Sequence, residues 1–126
     1  MAKSFLAGMK DGDLPRSLMN ARTGRILASA VEIAGTSESR RRGLLGRDDF
    51  DGALLLRPAK SVHTFGMRFP IDVAFVDKDM VVVKTVTMRR WRLGLPVWKA
   101  DGVIEARAGT FAHWNVQVGD QLEVKG

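Results

Sequence analysis

Apolar positions in this chain recur mostly at a period of two, in short runs broken by Gly, Asp and Pro, and that spacing predicts strands. Between Ser17 and Ala34, Leu18 precedes a Thr23-Gly24-Arg25 turn; Ile26, Ala28 and Ala30 then alternate before Val31 and Ile33 fall out of phase. Two short strands joined by a turn, with a bulge at the slip, are expected. Ala53-Leu54-Leu55-Leu56 is a continuous apolar run stopped by Pro58, the pattern of a strand buried on both faces. Ile71 to Val76 and Val81 to Met88 flank an Asp77-Lys78-Asp79-Met80 turn and predict a hairpin. Val97-Trp98 is expected to start another short strand, Val103 to Ala108 alternates as a half-buried one, and Gln121 to Val124 closes the chain.

Two places break this period. Thr36-Ser37 can cap a helix start, Glu38 suits the positive first turn, and Arg40 to Leu45 are good helix formers that Gly46 can terminate. Leu44 and Leu45 are its large apolar residues and are expected to form its buried edge. Gly109-Thr110 predicts one further helical turn through His113 and Trp114. The fold class is therefore mainly β (α+β): a small closed or partly closed β-barrel of about seven or more short strands with one or two short helices, closure removing exposed strand edges. Residues 1–16 read as a flexible leader and 17–126 as a single domain.

Composition narrows the chemistry. At 126 residues, 45% hydrophobic and 27% charged, the chain has the size and balance of one soluble domain. Twenty Lys and Arg against fourteen Asp and Glu give a net charge of +6, which favours anionic partners. The acids are dispersed among the bases, so no uniformly positive face of the kind a dedicated nucleic-acid binder needs can be assigned. The absence of cysteine excludes disulfides, thiolate metal sites and cysteine nucleophiles. No run reaches the roughly 20 apolar residues of a membrane span, and residues 1–12 lack a signal-peptide apolar region. A cytoplasmic protein without cofactor or metal is expected, since no zinc, dinucleotide or phosphate-loop motif is present.

Polar groups demand an explanation where they interrupt the apolar, β-leaning stretch 61–77: His63, Thr64, Arg68 and Asp72. Strand parity sets Ser61, His63, Phe65 and Met67 on one side and Val62, Thr64, Gly66 and Arg68 on the other, unless the backbone bends, most cheaply at Gly66. Asp72 falls beside Ala74 and Val76, opposite Ile71, Val73 and Phe75. A carboxylate there must be hydrogen-bonded or paired, with Arg68 or nearby backbone N–H groups as partners. His63 suits proton transfer or ligation, or a satisfied place in the core. Glu105 is a further acid in a half-buried strand and would form a carboxylate pair with Asp72 if the fold brought them together. Arg40-Arg41-Arg42 reads as a solvated helix face, its side chains splayed by about 100° per residue. Arg89, Arg90 and Arg92 around Trp91 suit phosphates and bases, or a loop anchored by Arg stems on the indole.

Arg42-Gly43-Leu44-Leu45-Gly46-Arg47, Gly52 to Leu56, His63 to Asp77 with Pro70-Ile71-Asp72 at its centre, Val103-Ile104-Glu105-Ala106 and Val118-Gly119-Asp120 occur in an order that resembles the bacterial and archaeal domain of unknown function 192 family. The resemblance covers about residues 20 to 124 and implies a compact, mostly β domain with short helices, without an established activity, cofactor or catalytic residue. Many relatives carry Trp at the position of His63, Asn at that of Gly66 and Gly at that of Met80, which sets this chain on a variant branch. Many also begin with an export or anchor segment.

The favoured reading is a noncatalytic module that binds a small anionic ligand or a protein partner near His63, Thr64, Arg68, Asp72 and Glu105. One alternative is a hydrolase or isomerase in which Asp72 orients His63 as a base while Arg68 or Arg107 holds the substrate. Another is nucleic-acid binding through Arg89, Arg90, Trp91 and Arg92.

Overall fold

The computed structural model describes residues 16–126, so the leader expected over residues 1–16 lies outside the described residues but for Arg16. Eight strands and two short helices follow in the order β1 (Ser17–Asn20), β2 (Ile26–Ala28), β3 (Val31–Ala34), α1 (Ser37–Arg42), β4 (Ala53–Leu56), β5 (Ile71–Val76), β6 (Val82–Met88), β7 (Gly102–Arg107), α2 (Thr110–Trp114) and β8 (Leu122–Lys125). They form a three-stranded sheet, β2-β1-β8, and a five-stranded sheet, β3-β4-β7-β5-β6. The described residues are thus mainly β with two short helices, as expected, but neither sheet closes on itself into the expected barrel.

The reason lies in the amino-terminal segment. Where two strands with a bulge were expected, three form: the slip at Ser29-Ala30 is a corner that carries the chain from the small sheet into the large one, and the bulge falls between Leu18 and Met19. β1 pairs with β2 and β8 and not with β3, leaving the sheets as separate ladders. Backbone hydrogen bonds tie them at corners, where Val31 N–H donates to Arg16 O (2.9 Å), Val82 N–H to Asp120 O (2.8 Å) and Leu122 N–H to Met80 O (2.9 Å). Met80 holds this second corner at φ +64°, the left-handed geometry that a glycine would take without strain.

β3 and β4 are parallel, whereas the other pairings in the large sheet are antiparallel. Parallel neighbours need a crossover, and α1 lies in it. Its start follows the sequence: Thr36 Oγ1 accepts from Ser39 N–H (3.1 Å) and Ser39 Oγ accepts from Thr36 N–H (3.0 Å). Its end does not. The helix stops at Gly43, φ +49°, three residues before Gly46, and none of its own residues is buried. Leu44 beyond it is buried, while Leu45 stays exposed. Val97-Trp98 forms no strand but a turn, closed by Ala100 N–H to Val97 O (2.9 Å).

The large sheet is buried on both faces, and strand parity assigns each residue to one of two apolar clusters. Leu54, Leu56, Ile71, Val73, Phe75 and Val103 pack with Leu44, Val62, Met67, Phe69 and Met88 from the overlying loops. Val31, Ala53, Leu55, Ala74, Val76, Ile104 and Ala106 pack with Leu18, Ala28 and Leu122 of the small sheet and with Phe111 and Trp114 of α2. The two faces carry different acids.

A cleft floored by a buried glutamate

On the α2 face, Asp72 is fully committed. Its Oδ2 accepts from Gly109 N–H (2.9 Å) and Phe111 N–H (3.0 Å), the unpaired donors at the start of α2, and its Oδ1 accepts from the Thr87 hydroxyl (2.6 Å). Gly109 has no side chain to cap that helix, so the strand carboxylate does it instead. Neither partner named from sequence is used: Arg68 pairs with Asp48 on the surface, and the amides come from the far end of the chain.

The register sets Val73 opposite Glu105 and Asp72 opposite Ala106. Adjacent residues point to opposite faces, so the sheet itself separates Asp72 from Glu105 and from the loop that carries His63. The carboxylate pair and the His63–Asp72 couple, both open in the sequence, do not form. Thr64 is likewise structural: wholly buried, its hydroxyl donates to Arg89 O (2.6 Å) and accepts from Arg92 N–H (2.8 Å). Arg107 pairs with Asp49 at 3.2 Å.

Glu105 behaves otherwise. It sits in β7 between Leu54 of β4 and Val73 of β5, 4% exposed, and accepts no hydrogen bond among the described residues. Burial pushes its carboxyl up to about 7, because the charged form loses its hydration with no cation close enough to compensate. No fully enclosed side-chain oxygen among the described residues lacks a partner, so the Glu105 oxygens are not sealed in. They open into a cleft of about 390 Å³ bounded by α1 and residues 43–45 on one side and by residues 58–67 on the other. Gly43 makes room: a Cβ there would stand 3.3 Å from Glu105 Oε1.

The cleft walls are basic and aromatic. Arg40, Arg41 and Arg42 line it, as do Lys60, His63 and Phe65. Arg40 is tied to Gly35 O (2.7 Å), and Lys60 Nζ to Ala100 O (2.6 Å) and Trp98 O (3.0 Å). Arg41, Arg42 and His63 have no side-chain hydrogen bond or ion pair among the described residues. His63 stacks on Phe65, with centroids 5.4 Å apart, at the exposed mouth. Alternation from Ser61 to Phe65 holds as expected and ends at Gly66, φ +78°, which turns Met67 into the core.

Of the sequence candidates, then, His63 and Glu105 share the cleft, whereas Thr64, Arg68 and Asp72 lie outside its lining. The arginine run is solvated as expected, no residue of α1 being buried, and it also borders the cleft. The available signal was that this run leads directly into Gly43, within the same motif. Among the described residues no cluster of His, Asp and Glu could hold a metal ion, and no helix is long and apolar enough to cross a membrane.

A further buried acid follows the Asp72 pattern. Asp120 accepts from Asn20 Nδ2 (3.0 Å), Arg22 Nε (2.9 Å) and Gln117 N–H (3.0 Å), and the Arg22 guanidinium holds its carboxyl below the usual range. It latches β1 to the turn before β8.

The fold and cleft define a two-sheet β protein with an acidic floor under basic walls. The chain belongs to the domain of unknown function 192 family, described as "Uncharacterized ACR", whose profile matches residues 18–124. It is 32% identical over 112 residues to the UPF0127 protein of Thermococcus sibiricus, covering 84% of this chain and 73% of that protein. It is 35% identical over 111 residues to the one from Thermococcus gammatolerans, covering 83% and 72%. A Sinorhizobium meliloti structure provisionally described as a transcription regulator superposes with a TM-score of 0.74 at 23% identity, over 86% of this chain and 91% of that one. A Novosphingobium aromaticivorans protein of unknown function gives 0.73 at 21% identity, over 87% and 84%. At these identities the structures share the fold.

Proposed function

We propose that the protein is a noncatalytic binding module whose ligand occupies the cleft above Glu105. A single observation carries this reading: a carboxyl group buried in the central strand of the large sheet, without a hydrogen-bond donor among the described residues and open to a cleft. An unsatisfied buried acid is destabilising in the empty protein, and an incoming N–H or O–H donor relieves that penalty. Arg41, Arg42 and His63, unpaired at the walls among the described residues, suit an anionic group on the same molecule. The ligand is therefore a small molecule with an anionic end for the arginines and a donor, such as an amine, amide or hydroxyl, for the floor. Of the binding centre expected at His63, Thr64, Arg68, Asp72 and Glu105, this reading keeps His63 and Glu105.

The test is a thermal-shift and calorimetric panel of amino acids, hydroxy acids and nucleoside monophosphates against wild type, Glu105→Gln and Arg41→Ala/Arg42→Ala. Saturable binding that weakens about tenfold or more in both variants supports the reading. If no member of the panel binds, or if binding is indifferent to both changes, the cleft is not the site.

One observation favours a second reading. A carboxyl titrating near 7 in a cleft is suited to general acid–base work, so an enzyme would use Glu105 in the acid–base place first given to His63 oriented by Asp72. Turnover of a bound panel member, lost in Glu105→Gln with binding retained, would select it.

A further inference from the structure

The loop between β6 and β7 exposes apolar surface that the fold does not use. Trp91, Leu93, Leu95 and Trp98 are 60%, 72%, 79% and 77% exposed, four large apolar side chains within eight positions. The same stretch is purely cationic: from Met80 to Ala100 the chain carries Lys84, Arg89, Arg90, Arg92 and Lys99 and not one Asp or Glu. None of these five forms an ion pair among the described residues.

This exposure is built in. Residues 60–64 clamp the loop through Trp91 N–H to Thr64 O (2.9 Å), Thr64 N–H to Arg92 O (2.8 Å), Gly94 N–H to Val62 O (2.9 Å) and Val97 N–H to Lys60 O (2.8 Å). Trp91 is held at φ +62°, and a Cβ at Gly94 would stand 2.7 Å from Val62 O, so the backbone has one close-fitted path. Beside it runs a groove of about 390 Å³ in which Lys84, Arg89 and Arg92 flank Val86, Leu93 and Leu95.

We propose that this loop docks the protein onto a bilayer surface rich in anionic phospholipid. Cations on phosphate, indoles at the headgroup level and leucines at the acyl boundary are what each side-chain type does at such a surface. A nucleic acid would account for the arginines and indoles, since indoles stack on bases. It would leave Leu93 and Leu95, the most exposed aliphatic side chains of the loop, in water. The aliphatic pair within an acid-free segment therefore decides for lipid. The docking loop also touches the cleft mouth, through the His63–Leu93 backbone bridge and the tilted Phe65–Trp91 ring contact at 6.5 Å. Docking would set the cleft at the membrane surface, although it does not depend on what the cleft binds.

The experiment is co-sedimentation of the full chain with vesicles of phosphatidylcholine alone and of phosphatidylcholine with phosphatidylglycerol. Two variants, Arg89→Gln/Arg90→Gln/Arg92→Gln and Leu93→Ser/Leu95→Ser, are compared with wild type, and a single-stranded oligonucleotide serves as competitor. Wild type should sediment with the phosphatidylglycerol vesicles and not with phosphatidylcholine alone. The arginine variant should bind roughly 100-fold more weakly, at about a factor of five per cation. The leucine variant should lose about tenfold or more while keeping the salt dependence. All of the changed residues are exposed, so far-ultraviolet circular dichroism and the melting midpoint should match wild type. The proposal is overturned by failure to bind anionic vesicles, by a leucine variant that binds as wild type does, or by oligonucleotide binding that outcompetes the vesicles and survives the leucine change.

Discussion

Asp72 and Glu105 are acids of neighbouring strands in one sheet, each almost completely buried, yet they do opposite things. Asp72 meets three donors and joins β5, β6 and the start of α2. Glu105 meets none among the described residues and faces a cleft. A buried charge that is fully hydrogen-bonded acts as a fastener, whereas one left without donors weakens the empty protein and persists where something else is to be held. Burial is shared by the two residues; the difference lies in what the facing element offers. α2 presents free amides to Asp72, and the crossover after α1 presents a glycine and an opening to Glu105.

The sharpest way to break this contrast is Asp72→Ala. Removal strips two helix-start amides and the Thr87 hydroxyl of their acceptor, and we expect a loss of about 3 to 4 kcal/mol in urea unfolding, with Asp72→Asn losing less. A change below about 1 kcal/mol would mean that Asp72 does not fasten α2.

Glu105→Gln should act in the other direction. Its folded-state pKa of about 7 stands above the ordinary 4.5. Between those values the folded protein holds a proton that the unfolded chain has released. Stability is therefore greatest below the lower value, falls as pH rises through the window, and levels off above the upper one, the total being about 3 kcal/mol. The Gln variant should lose this slope and gain up to that amount at about pH 8. Parallel stability–pH curves for the two proteins would remove the basis of the contrast.

Arg68→Ala is the smallest change and the control. The pair with Asp48 is exposed on both sides, so we expect less than about 0.5 kcal/mol. A loss as large as that of Asp72→Ala would restore the Arg68–Asp72 partnership considered from sequence.

Much of the architecture was legible in period and punctuation. The β4 run, the β5–β6 hairpin, the Thr36 cap and the one-turn α2 follow from local residue order, because a strand's two faces and a helix's first turn are properties of neighbouring side chains. β7, expected to be half-buried, is instead buried on both faces up to Arg107, because α2 and the cleft-side loops cover it. The barrel did not follow, because closure depends on whether β1 pairs with β3 or with β8, a choice between partners equally competent to hydrogen-bond. The site was half legible. Parity assigned Asp72 correctly to the side of Ala74 and Val76, and Glu105 and His63 were both among the candidates.

What the sequence by itself determined is which residues alternate, where turns must fall, and that acids at positions 72 and 105 need an explanation. Only the tertiary structure decided which acid is answered, because the donors for Asp72 lie 37 and 39 residues away at Gly109 and Phe111. The cleft over Glu105 likewise exists only once Gly43 and His63, from separate motifs, are brought over the same strand. Hydrogen-bond satisfaction is a property of three-dimensional neighbours, and no pattern along the chain encodes it alone.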